Sequence, residues 1–340
     1  MRKKYKKWVL YSVVGLFLFI AILFWIFIVG IKASETGKFF NQQKNAVWIA
    51  HEWVDTVKTD TEVKALVADL KAHDVNTIFV HVGPLSEIGD IAPEVYSEAF
   101  NFVDMVKAVD PDMRILAWVG QIRNKINLSS VQVRHNILQM CTIFTGVVGM
   151  DGVQYDIEPV WDEDEDFILL LEETHELFES MDRRPILSVA LAEFIPRTFV
   201  WLSSGFLNLQ NYNTEVNYRN VSKYADQVVT MVYDTGIERG WMYRWLVKEQ
   251  VIWLTDLMDE VECDKCVGMK PELYIGIPSY EDVKKGFNPE IENVGNALIG
   301  VLNGLNDVRA VHENLTGIAV YAHWTTDDNE WDIYDALWKN

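Results

Sequence analysis

The residues with the clearest capacity for chemistry lie in the run DGVQYDIEP at residues 151–159. If this run is a strand, residues two apart share one face, so Gln154, Asp156 and Glu158 point to the same side. Two carboxyls held side by side raise each other's pKa, which keeps one of them protonated. A protonated Glu158 beside an ionised Asp156 is the arrangement that a general acid needs near neutral pH. An isolated pair of acids could also have a structural role, so the choice between a structural and a catalytic role depends on where the pair lies in the fold.

Eight short apolar runs, separated by longer segments of helical periodicity, are typical of repeated βα units around a buried parallel sheet. The predicted strands cover residues 46–53, 77–85, 114–120, 152–158, 186–192, 227–234, 273–280 and 317–324. Helical patterns cover residues 61–72, 131–147, 167–180, 241–261 and 292–314. No nucleotide-binding glycine motif follows any strand, which argues against an open, doubly wound sheet. The sequence therefore predicts an α/β fold, a (β/α)8 TIM barrel over residues 45–340.

Polar and ionisable residues collect at the carboxyl ends of the predicted strands, where barrels of this type carry their active sites. They are His51, Glu52, His81, Gln121, Asp156, Glu158, Glu193, Tyr233, Asp234, Tyr280, His323 and Trp324. Because Asp156 and Glu158 end an otherwise apolar fourth strand, we favour a catalytic role for this pair over a structural one. The histidines come from different strands without a short ligand spacing, so we expect hydrogen-bonding or subsite roles, and neither a metal site nor a cofactor.

Residues 151–158 resemble the DGxDxDxE signature of the family 18 glycoside hydrolases, the chitinases and their relatives, on the strand where that family carries it. Two further segments agree with this resemblance. Residues 231–234 (MVYD) resemble the family's MxYD at the end of strand 6, and residues 275–280 (IGIPSY) resemble its GxPxY on strand 7. The similarity extends over residues 46–324 in architecture but is close only in these segments. It implies a barrel that hydrolyses β-linked N-acetylated sugars such as peptidoglycan or a chitin-like polymer.

The resemblance implies a retaining mechanism in which the substrate's own N-acetyl group is the nucleophile, an exception to the usual scheme with two carboxylates. Carried over by position, Glu158 would protonate the glycosidic oxygen, Asp156 would orient the acetamido group, and Tyr233 would hydrogen-bond the acetamido oxygen. Asp234 would line the sugar subsite and Trp324 would be its stacking floor. The other residues expected to contact substrate are Gln154, Tyr321, Tyr280, Trp118 and His51.

Three departures from the family pattern affect these expectations. Gln154 replaces the first interior acid of the signature and removes one charge from the relay that would tune Asp156, so we expect slower or pH-shifted catalysis. Strand 3 reads AWVG at residues 117–120 where the family shows SxGG, and Trp324 stands two residues late, so Tyr321 could fill its role. Only 36 residues, 281–316, separate strands 7 and 8, which leaves no inserted domain and predicts a shallow, open groove.

Two alternative functions remain open at the level of sequence. One keeps Glu158 as the acid but takes Glu281 or Glu193 as a protein nucleophile, as in two-carboxylate retaining barrels, and needs no N-acetyl group. The other is a carbohydrate-binding barrel without turnover, since one fold hosts many unrelated functions. Family relatives of that kind usually lose the catalytic glutamate, whereas Glu158 is present here.

A membrane anchor is predicted at the amino terminus. Residues 8–31 carry no charge in 24 positions and, at about 1.5 Å per residue, are long enough to cross a hydrocarbon core of about 30 Å. The run is too long for the apolar core of a signal peptide, and its exit fits a cleavage site poorly. Five basic residues within residues 1–7 predict a cytoplasmic tail, so residues 32–44 would tether the barrel outside the plasma membrane.

The composition excludes some partners. Beyond residue 7 there are 25 basic residues against all 50 acidic ones, a net charge near −25, which repels nucleic-acid phosphates. Thirteen Trp and thirteen Tyr permit sugar binding, because aromatic faces can stack on sugar rings. The substrate would therefore be a glycan, the lipid bilayer would be contacted through residues 8–31, and the chain is expected to be monomeric.

The cysteines and glycosylation motifs carry less information. Three cysteines are too few for a disulfide-framed scaffold. Cys263 and Cys266 form a CxxC without a second ligand pair, so we expect a local disulfide or two idle thiols, and Cys141 in the core. Sequons at Asn127, Asn220 and Asn314 would be used only in a eukaryotic secretory pathway.

Overall fold

The computed structural model describes residues 40–196, 212–261, 270–281 and 286–339, together with Tyr11, Val14 and Gly15. Within these residues eight parallel strands close into a barrel in chain order, and the eighth strand pairs with the first. The strands are β1 Asn45–Ile49, β2 Val75–Pro84, β3 Arg114–Ile122, β4 Gly152–Glu158, β5 Ile186–Leu191, β6 Gln227–Met231, β7 Glu272–Pro278 and β8 Leu315–Tyr321. The predicted (β/α)8 TIM barrel is confirmed.

Helices connect the strands across the outside of the barrel. In the described parts of the chain they are α1 Glu52–Asp55, α2 Asp60–Ala72, α3 Ala99–Val109, α4 Val131–Thr142, α5 Glu165–Glu179, α6 Glu215–Ser222, α7 Gly240–Glu260, α8 Val294–Leu305 and α9 Asp328–Tyr334. Short 3-10 turns lie at Pro93–Tyr96, Arg123–Lys125 and His312–Asn314, and π turns lie at Ile143–Val147 and Asp335–Lys339.

Local sequence sets where several helices begin. The Thr59 hydroxyl accepts from the Glu62 amide, and the Glu62 carboxylate accepts from the Thr59 amide, which forms a capping box at the start of α2. Asp327 and Glu330 form the same motif at the start of α9. Asp164 caps α5 by accepting from the amide of Phe167. Each cap satisfies an amide that the first helical turn leaves without a backbone partner.

Three predicted strands extend at least three residues too far. The first was expected to reach residue 53, but β1 ends at Ile49 and the chain turns into α1. The sixth was expected to reach residue 234 and the eighth residue 324, but β6 ends at Met231 and β8 at Tyr321. Beyond these ends Trp53 packs against Phe102, and Tyr233 and Trp324 each lie beside Tyr321. These aromatic residues look strand-like in the sequence although they lie outside the strands.

The barrel interior is filled. At its amino end the Arg114 guanidinium forms an ion pair with Glu272 at 2.9 Å and donates to the hydroxyls of Thr77 at 3.0 Å and Tyr274 at 2.9 Å. Above this layer lies a buried cluster formed by Ala46, Trp48, Phe79, Leu116, Trp118, Val229, Tyr274, Ala319 and Ala322. Because this core closes the interior, the groups available to a ligand are those at the carboxyl ends of the strands.

Several predictions concern residues that the structure does not describe. Apart from Tyr11, Val14 and Gly15, the predicted anchor at residues 8–31 lies outside the described residues, as do residues 32–39 of the predicted tether and the pair Cys263 and Cys266. In the described part of the chain no helix has the length and apolar character needed to cross a bilayer. Cys141 is described and buried, as predicted, with its sulfur 3.1 Å from the Tyr155 hydroxyl.

The Arg114 ion pair generates a stability prediction. The side chains of Arg114 and Glu272 are only 23% and 29% exposed, so Arg114→Ala would leave a largely buried carboxylate unpaired. We expect the free energy of unfolding to fall by about 3 kcal/mol, measured by urea unfolding followed through tryptophan fluorescence. Arg183→Ala is the matched control, because Arg183 pairs with Asp151 but is 70% exposed, and we expect about 0.5 kcal/mol. Equal losses in the two variants would contradict a special role for the Arg114 pair.

Candidate active site

Strand β4 sends three polar side chains into the barrel. Gln154, Asp156 and Glu158 alternate with Val153 and two further apolar residues that face the helices, as the period of a strand predicts. Gln154 is fully buried, whereas Asp156 and Glu158 lie higher, at the mouth, and are half-buried. The side chains on this face thus become more exposed from Gln154 to Glu158, and both carboxyls lie at the mouth of the barrel.

Gln154 is held beneath the mouth by its neighbours. Its Oε1 accepts from Trp48 Nε1 at 2.7 Å, and its Nε2 donates to the Ser188 hydroxyl at 3.3 Å. Both ends of the amide are therefore engaged by the barrel wall, and neither bonds to Asp156. Because Gln154 is a neutral amide, this face of β4 carries two carboxyls, those of Asp156 and Glu158, and not three.

Asp156 takes its hydrogen bond from the neighbouring strand. Trp118 Nε1 donates to Asp156 Oδ2 at 2.8 Å, while Oδ1 is buried and has no hydrogen-bond partner among the described residues. Burial raises the pKa of Asp156 to about 6, and the bond from Trp118 opposes that rise. A buried acceptor without a donor is costly, so Asp156 Oδ1 is a ready acceptor for an N–H group of a ligand.

Glu158 is the group best suited to donate a proton. Burial, then the charges of Asp156 and Asp234, raise the pKa of Glu158 to about 8. Because two ionised carboxylates repel each other, the Asp156–Glu158 pair holds one proton at neutral pH. The site therefore presents an ionised group and a protonated acid side by side at neutral pH.

Tyrosines form the opposite wall of the mouth. Tyr233 and Asp234 lie just beyond the end of β6, after Val232, and the Tyr233 ring stacks on Tyr321 with centroids 5.4 Å apart. The Tyr280 hydroxyl donates to Asp234 Oδ1 at 2.6 Å. Burial, followed by Tyr321 and Asp156, holds the pKa of Tyr233 well above its usual range, so its hydroxyl is a neutral donor. Asp156 and Glu158 both contribute to this rise in the pKa of Tyr233, so Tyr233 lies close to the carboxyl pair.

The remaining predicted site residues lie around this centre. Trp324 is exposed at the rim, edge-on to Tyr321 at 5.6 Å. Trp118 is mostly buried and lies between His81, at 4.5 Å, and Tyr321, at 6.0 Å. His51 is exposed at the start of α1, and its ring centroid is 6.1 Å from that of His81. The structure thus brings the aromatic residues to one mouth and places His51 at its edge.

A cavity of about 700 Å³ opens beside the carboxyl pair. Its lining comes mainly from β2, β3 and the loops that follow them: His81, Pro84, Ser86, Glu87, Trp118, Gly120, Gln121, Ile122 and Lys125, with Asp156 and Glu158. Sequence reasoning missed most of this wall, because residues 84–87 and 122–125 carry no motif. Their position directly after two strand ends was the signal that could have found them.

Two other carboxyls near the mouth differ from the pair. Glu193, after β5, is buried, and burial holds its pKa well above the usual range, which disfavours the ionised carboxylate. Glu292, which sequence reasoning missed, is fully buried and accepts from the Thr235 hydroxyl at 2.9 Å. Glu281 is exposed. No group of metal-ligating side chains occurs in the part of the chain that is described.

Two acids of the run at residues 162–166 are paired with neighbouring loops. Asp164 accepts two hydrogen bonds from the Arg123 guanidinium at 2.7 and 2.9 Å. Asp162 accepts from the amide and the hydroxyl of Thr214 at 3.0 and 2.6 Å. These contacts fasten the loop after β4 to the loops after β3 and β5, so the acids stabilise the mouth.

Comparison with known proteins agrees with this geometry at the level of fold. No family model and no curated protein matches the sequence. Among solved structures, the Group IV chitinase of Ostrinia furnacalis is 15% identical with a TM-score of 0.57, covering 87% of this chain and 100% of that one. The spore cortex-lytic enzyme SleL of Bacillus cereus is 12% identical with a TM-score of 0.56, covering 89% and 76%. A family 18 chitinase of Cycas revoluta is 13% identical with a TM-score of 0.56, covering 87% and 99%.

The fold is therefore that of the family 18 chitinases, at low sequence identity. The resemblance first seen in the signature of β4 extends to the whole barrel. Identities this low establish the shared architecture, and the chemistry must be argued from the residues of this chain.

The bond from Trp118 to Asp156 can be tested without a substrate. Trp118→Phe removes the donor, and since that donor lowers the pKa of Asp156, we expect the pKa to rise by about one unit. Carbon-13 NMR of labelled aspartate carboxyls across a pH titration measures the change. Trp48→Phe is the control, because it removes the same donor from Gln154 and leaves Asp156 untouched. An unchanged Asp156 titration in Trp118→Phe would refute the assigned bond.

Proposed function

We propose that this chain is a glycoside hydrolase that cleaves β-linked N-acetylated sugars by substrate-assisted, retaining catalysis. The observation that carries the proposal is the pair on β4: Glu158 holds a proton with a pKa of about 8, beside Asp156, whose Oδ1 is buried without a donor. An acid for the leaving group and an acceptor for an acetamido N–H thus lie on one strand face.

In the first step, Glu158 gives its proton to the glycosidic oxygen as the bond to the anomeric carbon breaks. The acetamido oxygen of the substrate attacks that carbon and forms an oxazolinium-like intermediate, while Asp156 accepts the acetamido N–H and offsets the positive charge. Tyr233 donates to the acetamido oxygen and aligns it. In the second step, the Glu158 carboxylate takes a proton from water, the water oxygen bonds to the anomeric carbon, and the acetamido group is restored.

The relatives support an N-acetylated glycan as substrate. The Cycas revoluta chitinase was solved in complex with (GlcNAc)3, and the Bacillus cereus relative is a spore cortex-lytic enzyme. Chitin-like polymers and peptidoglycan both contain β-linked N-acetylated sugars and fit the same reacting groups. Trp324, Tyr321 and Tyr280 would then contact the sugar, with Asp234 lining its subsite.

A protein nucleophile fits the geometry less well. Glu193 is buried and does not line the cavity beside Glu158, and its burial disfavours the ionised form that a nucleophile needs. Glu281 is exposed and does not line the cavity beside Glu158. The acetamido group of the substrate is therefore the favoured nucleophile.

From the sequence we also propose where the enzyme acts. Residues 8–31 would anchor the chain in the plasma membrane as a single span with residues 1–7 in the cytoplasm, and the barrel, a monomer, would act on glycans outside.

Turnover is the direct test. The full chain in detergent is assayed against N-acetylglucosamine oligomers and peptidoglycan, and Glu158→Gln should reduce kcat by a factor of about 10³, because it removes the general acid. Glu281→Gln is the matched control and should retain activity, whereas a two-carboxylate mechanism through Glu281 would lose it. Absence of cleavage by the unmodified chain, with sugar binding intact, would instead favour a carbohydrate-binding barrel.

The carboxyl pair also predicts a pH profile. Activity requires Asp156 ionised and Glu158 protonated, so kcat/KM should fall as pH drops below about 6 and as it rises above about 8. Initial rates on a soluble N-acetylglucosamine oligomer, measured between pH 4 and pH 10, should give a bell-shaped dependence of kcat/KM on pH. A rate that keeps rising with pH beyond pH 9 would exclude Glu158 as the proton donor.

A further inference from the structure

Glu292 is a buried carboxyl to which the mechanism above gives no role. Its two oxygens accept from one residue, Thr235: Oε2 from the backbone amide at 3.3 Å and Oε1 from the hydroxyl at 2.9 Å. Burial raises the pKa of Glu292 to about 7, and the bonds from Thr235 oppose that rise. Burying a carboxyl is costly unless its oxygens are satisfied, and both are satisfied here by Thr235. The pair therefore forms a fixed point between the segment that follows β6 and the segment that follows β7.

Thr235 directly follows Asp234, the residue that we place in the sugar subsite. Asp234 has a φ of 60°, in the left-handed region, which costs free energy for an aspartate. It is exposed at the mouth, so packing around its side chain does not hold it in place. A backbone conformation of this kind persists where the neighbouring residues are fixed. The bonds from Thr235 to Glu292 supply that fixation on the carboxyl-terminal side of Asp234.

Backbone contacts join the same two segments. The amide of Gly236, the residue after Thr235, donates to the carbonyl of Gly286 at 2.8 Å. Glu292 is held in turn, because its amide donates to the carbonyl of Asn288 at 2.8 Å. The carboxyl of Glu292 is thus attached to a segment that cannot follow Asp234 if Asp234 moves.

The position of Asp234 matters to the proposed proton donor. The Tyr280 hydroxyl donates to Asp234 Oδ1 at 2.6 Å, and the Tyr280 ring stacks on Phe287 with centroids 4.0 Å apart. Asp234 is also one of the two charges, after that of Asp156, that add to burial in raising the pKa of Glu158. A displaced Asp234 carboxylate would therefore change both the subsite and the titration of Glu158.

We propose that Glu292 is a positioning residue: by holding the amide and the hydroxyl of Thr235, it fixes the backbone that aims the Asp234 carboxylate at the subsite beside Glu158. That Asp234 contacts a sugar rests on the proposed function. The hold of Glu292 on Asp234 is a property of the two loops and can be measured without substrate. The contacts of Glu292, and not its charge, perform this task.

A double-mutant cycle on turnover tests the assignment in the full chain. Glu292→Ala should lower kcat/KM on an N-acetylglucosamine oligomer by a factor of about 10 to 100, because Asp234 loses its place. Glu292→Gln should stay within a factor of about three, since the amide can bond to both groups of Thr235. In an Asp234→Gly background, which tolerates the left-handed backbone, Glu292→Ala should cost at most a factor of about two. Full losses that multiply in the double variant would overturn the assignment.

The titration of Glu158 tests the same hold without turnover. Carbon-13 NMR of labelled glutamate carboxyls should show the pKa of Glu158 falling by about 0.5 in Glu292→Ala, because a like charge moves away, and unchanged in Glu292→Gln. Thr235→Val removes the hydroxyl donor at nearly constant size, so it gives a smaller shift in the same direction and serves if Glu292→Ala does not fold.

Glu249→Ala is the matched control. Glu249 is equally buried, on α7, and pairs at 3.3 Å with Arg309, which precedes β8 at the end of the barrel away from the mouth. Its loss should lower stability and leave the Glu158 titration unchanged. A Glu158 titration that stays unchanged in both Glu292→Ala and Thr235→Val, or that shifts equally in Glu292→Gln or Glu249→Ala, would overturn the inference.

Failure of the proposed function has a different signature. The unmodified chain would then show no turnover that depends on Glu158, while the shift of the Glu158 titration in Glu292→Ala would still support the hold of Glu292 on Asp234.

Discussion

Two carboxyls on one face of a buried strand end repel each other, and the charge state of the mouth follows from that constraint. Asp156 and Glu158 lie two residues apart on β4, and the pairing of β4 with β3 extends to both of them. Burial raises the pKa of both groups, and the charge of Asp156 raises that of Glu158 further. The hydrogen bond from Trp118 stabilises the ionised form of Asp156, so the shared proton resides on Glu158. Their positions on one strand therefore give the two carboxyls different charge states.

The rest of the barrel keeps this pair in place. The Arg114 layer and the aromatic core below it fill the interior, so the carboxyls rest on a packed floor. Above them, Arg123 and Thr214 hold the loop after β4 through two of its acids. Groups that must be placed within fractions of an ångström are better held by strands and fastened loops than by free segments. The loop is therefore part of the frame around the two carboxyls.

The parts that could be predicted from sequence are those with a strict period. Residues 152–158 were predicted with the observed bounds, because polar and apolar residues alternate without a break. The ends of β6 and β8 were predicted too late, since Tyr233 and Trp324 look strand-like but face the mouth. The Trp118 bond and the cavity wall depend on which residues of neighbouring strands meet, and local periodicity does not contain that information. The paired acids of residues 162–166 were missed for the same reason.

Gln154 clarifies what the departure from the family signature does. An ionised acid at this position would add a third negative charge below the pair and raise the pKa of Asp156 further. The amide is instead neutral, and its two ends satisfy Trp48 and Ser188 within the wall. Asp156 instead accepts a hydrogen bond from Trp118 on the adjacent strand β3. Stabilisation of the ionised Asp156 therefore does not require the missing acid, and the case for hydrolysis rests on Asp156 and Glu158 rather than on a complete motif.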